Sequence, residues 1–172
     1  MALLTAPFAT SRADETAVVD DRGAEPWSEL DGRVDRLVAA LTARGLEPGA
    51  TVLLMAGNQR ESIEVILACM HGGWLVVLVN AHWVADEVTY MLEDTEAAAV
   101  VAGEARIDVA LAAMEAGPRP RILLGLVDGP RDGFESYDEV LASASVVDPV
   151  AATRFGGPMF YTSGTTGRPK GV

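Results

Sequence analysis

Apolar and polar positions follow two different rhythms along this chain, and the changes of rhythm mark its elements. Leu30, Val34, Leu37, Val38 and Leu41 recur at a spacing near 3.6, which predicts a helix with one buried face. Ser28-Glu29-Leu30-Asp31 has the pattern of a capping box at its start, and Gly45 with Leu46 and Pro48 has the pattern of a left-handed stop. Residues 51–55, apolar from Val52 onward, then read as a buried strand, and Gly57-Asn58 makes its exit turn. Asn58 with Glu61 predicts a second helix start, leading into Ile63, Ile66, Leu67 and Met70 and ending at Gly72-Gly73.

The same alternation continues downstream. Strands are expected at 75–79, 98–102 and 121–126, with helices at 85–93 and 106–116 between them. Ahead of all this, residues 16–19 and a return strand to Pro26 predict a small hairpin around the turn Asp20-Asp21-Arg22-Gly23. Asp128-Gly129-Pro130-Arg131-Asp132-Gly133 reads as a solvated turn before a short helix at 136–143, and a looser stretch over 145–157 leads to a last strand at 158–162. Strands that are apolar throughout and alternate with helices define an α/β fold, a predominantly parallel sheet with helices on both faces.

One segment needs a membrane test. Residues 65–85 run for 21 positions without Asp, Glu, Lys or Arg, the length of a spanning helix. His71, Gly72, Gly73, Asn80 and His82 interrupt it, and Val76, Val77 and Val79 favour a strand after the glycine pair. A buried helix, a break and a buried strand are expected, with no transmembrane segment.

Composition narrows the partners. The 172 residues are about one domain's length, and 49% of them are hydrophobic, enough for a sizeable core. A formal charge of −12 argues against nucleic acid and anionic membrane surfaces as main partners. The single cysteine, Cys69, excludes an internal disulfide and fits a core thiol in a reducing compartment. The opening residues 1–8 lack a basic region and a long apolar block, so a cytoplasmic protein is expected.

The candidate chemistry lies at 159–172. The apolar run Met159-Phe160-Tyr161 hands over to four hydroxyls (Thr162, Ser163, Thr165, Thr166), three glycines (Gly164, Gly167, Gly171) and the ammonium of Lys170. Glycines let the backbone approach an anion closely, hydroxyls donate to phosphate oxygens, and a lysine supplies a mobile charge. The spacing differs from that of G-x-x-x-x-G-K-[ST] loops, because Gly164 and Gly167 stand too close and Gly171, with no hydroxyl, follows the lysine. Pro169 also pushes Arg168 toward extended backbone, so phosphate is expected to meet loop amides and side chains and not the start of a helix. In an acidic chain such binding should depend on salt and on a divalent ion.

The twelve residues Tyr161-Thr162-Ser163-Gly164-Thr165-Thr166-Gly167-Arg168-Pro169-Lys170-Gly171-Val172 closely resemble the phosphate-binding signature of the AMP-forming adenylating enzymes: acyl-CoA synthetases, luciferases and peptide-synthetase adenylation domains. From about Trp27 onward weaker matches extend the resemblance to the N-terminal part of an acyl-CoA synthetase, among them Arg44-Gly45, Asn58, Glu61, Gly73, Asn80, Glu87 and Leu92-Glu93-Asp94. The chain departs from the family pattern at Ala50, where an aspartate is usual, at Leu78, usually proline, and at Val84, usually a capping threonine. Loss of a capping hydroxyl costs about 1 kcal/mol.

The resemblance implies a carboxylate-CoA ligase using ATP, Mg²⁺ and CoA. A fatty acid is the leading acid, with aryl and amino acids left open. It implies phosphate contacts at Thr162, Ser163, Gly164, Thr165, Thr166 and Gly167, charge neutralisation at Lys170, and a place for Thr162 in the magnesium shell, while Arg168 is a variable, solvated position. Enzymes of this family are much longer. Residues 1–172 are therefore expected to form a partial N-terminal adenylate-forming domain without the mobile C-terminal lid domain or catalytic residues, inactive alone and open to self-association through the cut sheet. A nucleotide-binding or interaction module of the same fold is the second reading.

Other candidates carry less. His71 and His82 lack partners at metal-ligand spacing. Glu87, Glu93, Asp94 and Glu96 read as one solvated helix face, and Trp74 and Trp83 as core or interface. Two histidines and one cysteine give no nucleophilic triad.

Overall fold

A computed structural model describes residues 4–145, 156–162 and 170–171, the last pair and Thr162 by their backbone. A short helix α1 (Ala6–Ser11) and a hairpin of β1 (Thr16–Asp20) and β2 (Gly23–Pro26) precede the long helix α2 (Trp27–Ala43). Then come β3 (Thr51–Met55), α3 (Arg60–Gly72), β4 (Leu75–Leu78), α4 (Ala85–Thr95) and β5 (Ala99–Gly103). A 3-10 turn, Glu104–Arg106, opens α5 (Ile107–Ala116), followed by β6 (Ile122–Leu126), β7 (Glu135–Ser136), α6 (Tyr137–Ser143) and the short strands β8 (Gly157–Met159), β9 (Tyr161–Thr162) and β10 (Lys170–Gly171).

Six strands form one sheet in the order β7-β6-β5-β3-β4-β8, and every pairing in it is parallel. Alternate residues of each central strand serve two separate cores. Val52, Leu54, Val76, Ala99 and Val101 pack under α2, α3 and α6. Leu53, Met55, Val77, Val100 and Ala102 pack under α4 and α5. Burial on both faces is why these strands read as continuous apolar runs. The order places a topological switch between β3 and β5, whose following helices lie on opposite faces.

The helix ends differ from expectation in instructive ways. Helix α2 begins at Trp27 and leaves Ser28 inside its first turn without a capping role. The orphan amides are met instead by backbone: Trp27 N–H donates to Glu15 O at 3.0 Å and Ser28 N–H to Ala13 O at 3.1 Å. Its far end follows the predicted stop, with Gly45 at φ 76°. Leu46 N–H reaches Leu41 O and Gly45 N–H reaches Thr42 O, the two bonds of a Schellman motif. In α3 the N-cap is Gln59 and not Asn58. The buried face of α3 carries Glu61, Glu64, Val65, Ala68 and Cys69, whereas Ile63 is exposed. Apolar periodicity misses this face because two of its positions are carboxylates satisfied by arginines.

At the start of α4, Val84 occupies an extended N-cap, 59% exposed, and its N–H donates to Glu87 Oε2 at 2.9 Å. That is one half of a capping box, and valine has no acceptor for the other half. Val84→Thr supplies it and is expected to raise unfolding free energy by about 1 kcal/mol, read from urea denaturation midpoints. A neutral or destabilising result would contradict this cap assignment.

Candidate functional site

The predicted phosphate loop is reached through the edge strand. Strand β8 pairs with β4 in the register Leu75 with Gly157, Val76 with Pro158 and Val77 with Met159. Gly156 N–H donates to Met70 O and Gly157 N–H to Trp74 O, each at 3.1 Å, so the incoming chain is tied to the end of α3. The approach at Gly156 is so close that a Cβ there would stand 2.0 Å from Trp74 O and 2.1 Å from Cys69 O. Only glycine fits against backbone that cannot swing aside.

The expected single strand over 158–162 is not formed. Pairing with β4 stops at Met159, Phe160 turns outward at 57% exposure, and Tyr161–Thr162 leave the sheet to pair antiparallel with Lys170–Gly171. In that ribbon Thr162 stands opposite Lys170 and Tyr161 opposite Gly171. The structure thus brings two of the predicted phosphate residues, Thr162 and Lys170, face to face along the backbone. Ser163, Gly164, Thr165, Thr166 and Gly167 lie between them in sequence and outside the described residues, as does Arg168.

The contact between two residues named from the sequence, Tyr161 and Asp94, was not expected from it. Tyr161 packs against the core beneath α4, and its hydroxyl donates to the Asp94 carboxylate in the last turn of that helix. Burial, reinforced by the adjacent Asp94 charge, holds the phenol well above its ordinary range. Asp94 is exposed but partnered, so it is more than part of a solvated face, as is Glu87 at the cap. A signal was present: α4 ends with acidic residues and no base, against the helix dipole.

At the carboxyl ends of β3 and β4 lies a cleft of about 460 Å³, lined by Val18, Leu54, Arg60, Ile63, Ile66 and Leu78 among others. Its rim is an ion network. Arg60 Nε donates to Asp20 at 2.8 Å, Arg22 donates to the same carboxylate at 2.9 Å, and Arg22 Nη1 lies 2.6 Å from Glu61. Arg60 first, and then Arg22, hold Asp20 far below the usual carboxylate range. Beneath them Glu64 accepts from Arg33 at 2.8 Å and from the Tyr137 hydroxyl at 2.7 Å.

Glu25 is the exception, 0% exposed with neither carboxyl oxygen hydrogen-bonded. Burial, and then the Glu64 charge, raise its pKa. A carboxyl raised in the folded state contributes its full stability below the ordinary carboxylate pKa and loses it as pH rises through the folded value.

The remaining candidates are structural. His71 is buried, accepts Leu4 N–H at Nε2 at 3.0 Å, and is held below its ordinary pKa by burial. His82 is exposed, and its amide donates to Asn80 Oδ1 at 2.9 Å. Trp74 is fully enclosed, Trp83 packs at the margin of the second core, and burial pushes the Cys69 thiol up. Among the described residues no three His, Cys, Asp or Glu side chains gather as a metal centre, and no helix is long and apolar enough to cross a membrane.

The profile of the family described as AMP-binding enzyme matches residues 6–172, and the chain belongs to that family. It is similar to a feruloyl-CoA synthase of an Amycolatopsis species, 31% identical over 91% of this chain and 29% of that protein. It is also similar to gramicidin S synthase 2 of Aneurinibacillus migulanus, 25% identical over 92% of this chain and 3% of that protein. Among solved structures, the N-terminal domain of FACL13 from Mycobacterium tuberculosis superposes with a TM-score of 0.79 at 28% identity, covering 98% of this chain and 42% of that one. The chain therefore spans well under half the length of each of these relatives.

Two outcomes test the geometry. Replacing Gly156 with alanine should displace β8 and cost about 1–3 kcal/mol of stability by denaturant unfolding, and unchanged stability would contradict the close approach. Glu25→Gln should gain on the parent protein as pH rises above the ordinary carboxylate range, and a pH-independent difference would contradict a raised carboxyl pKa at Glu25.

Proposed function

We propose that this chain carries the phosphate grip of an adenylate-forming carboxylate-CoA ligase. The observation that carries the reading is the ribbon that sets Thr162 opposite Lys170 at the two ends of the hydroxyl- and glycine-rich loop. Residues 1–172 would form part of the large N-terminal domain, the rest of the reaction's contacts coming from the length of the relatives that this chain does not span.

In the proposed reaction a carboxylate oxygen attacks the α-phosphorus of MgATP, the bond to the bridging oxygen breaks, and pyrophosphate leaves an acyl adenylate. The thiol of CoA then attacks the acyl carbonyl and AMP departs. In the first step negative charge gathers on the leaving pyrophosphate. Donors fixed around that charge lower the barrier because they need no reorganisation as it develops. Thr162, Ser163, Gly164, Thr165, Thr166 and Gly167 would surround the β- and γ-phosphates, and Lys170 would neutralise them. Magnesium enters as part of the MgATP substrate, with the Thr162 hydroxyl as the proposed protein contribution to its shell.

A fatty acid is the proposed carboxylate, and the likeness to a feruloyl-CoA synthase favours an aryl acid as the second reading. A cytoplasmic location fits a reaction fed by ATP and CoA. The isolated 172 residues would not turn over by themselves.

The test is acid-dependent exchange of pyrophosphate into ATP by the full gene product. Lys170→Ala should lower kcat/KM for MgATP by about a hundredfold, with residual activity more sensitive to salt. Exchange at the parent rate would overturn the assignment of the loop.

A further inference from the structure

The contact between Tyr161 and Asp94 joins the loop to the body of the fold. Strand β9 is two residues long, and nothing in the six-stranded sheet pairs with it. Among the described residues its strand partner is β10, itself two residues long, so the ribbon cannot fix its own direction. Tyr161 supplies the missing restraint twice over. Its ring, partly buried, packs against the core under α4, and its hydroxyl reaches a carboxylate 67 residues away in sequence.

The position of that carboxylate strengthens the case. Asp94 lies in the last turn of α4, where the helix C-terminus repels negative charge, and neighbouring Glu93 and Glu96 are also acidic with no base among them. Glu96 closes the helix in left-handed backbone at φ 47°, which a residue with a side chain adopts at a cost. A helix end arranged against its own dipole, and carrying one hydrogen bond to the ribbon, is a place where local stability gives way to another demand. The remaining acids of the turn have no such partner to the ribbon among the described residues.

We infer that Tyr161 and Asp94 are positioning residues that seat the β9–β10 ribbon on α4 and so fix the placement of Thr162 and Lys170 toward nucleotide phosphates. The inference rests on the reading that the loop grips those phosphates. Removing the hydroxyl leaves the ring packed against the core and frees the ribbon to swing about it. Phosphate contacts, which depend on close placement, then weaken, whereas binding of the acid is expected to stay as it was.

The experiment uses the full gene product with Tyr161→Phe, Asp94→Ala, Asp94→Asn and the Tyr161→Phe/Asp94→Ala double variant. Each is read by thermal melting and by KM for MgATP and for the carboxylate in pyrophosphate exchange. Tyr161→Phe and Asp94→Ala should each raise KM for MgATP about tenfold with the KM for acid and the melting temperature little changed. The double variant should match either single one, because both remove one bond. Asp94→Asn, whose amide oxygen still accepts, should recover most of the loss. Equal rises in both KM values, additive effects in the double variant, or no change at all would overturn the inference. Lys170→Ala separates the two levels: if it cripples exchange while Tyr161→Phe does nothing, the positioning role fails alone, and if neither matters, the phosphate reading fails with it.

Discussion

The end of helix α3 is the point on which the placement of the loop depends. A helix leaves its last carbonyls without intrahelical donors, and those groups must find partners elsewhere. Here Cys69 O accepts Trp74 N–H at 2.9 Å, and Met70 O accepts Gly156 N–H at 3.1 Å. The first bond folds the chain back under the buried Trp74 into β4, and the second docks the returning chain as the sheet's edge strand. Gly156 Cα must pass against that backbone, and the three paired residues that follow deliver Phe160 and Tyr161 to the carboxyl end of the sheet. In open α/β sheets ligands gather at that end. A property of every helix terminus thus decides where the glycine-rich segment emerges.

Electrostatics divides the labour. The arginines around the cleft are already committed: Arg60 to Asp20, Arg22 to Asp20 and Glu61, and Arg33 to Glu64 and Asp138. Ion pairs at this depth hold the hairpin and α2 onto α3 and leave little positive charge for an incoming anion. A chain with a net charge of −12 that binds phosphate has to concentrate its affinity in a short segment, and the hydroxyls, glycines and lysine of residues 162–170 are the segment proposed for it. The cleft and the ribbon proposed to hold the anion belong to different parts of the same sheet end.

Much of this was legible from the chain because burial on both faces writes itself as uninterrupted apolar runs, as at residues 52–55 within β3. What escaped had its cause in tertiary partners. The start of α2 is capped by carbonyls of residues 13 and 15, which leaves Ser28 nothing to do. The inner face of α3 is built on Glu61 and Glu64, polar letters that become core positions only once Arg22 and Arg33 arrive from elsewhere. The break at Phe160 has no local signal either, since it exists because Lys170–Gly171 claim Tyr161–Thr162 as strand partners. The loop's residue types were readable from chemistry alone; the tyrosine that seats them was not, because its acceptor lies on a distant helix.

The central claim is that the two short strands ending in Thr162 and beginning at Lys170 close around the terminal phosphates of ATP. A crystal structure of the full gene product with a non-hydrolysable MgATP analogue and the carboxylic acid tests it directly. The account predicts the β- and γ-phosphates between those strands, within hydrogen-bonding distance of the Thr162 hydroxyl and the Lys170 ammonium. Phosphates bound elsewhere, with the segment packed away from the nucleotide, would contradict it.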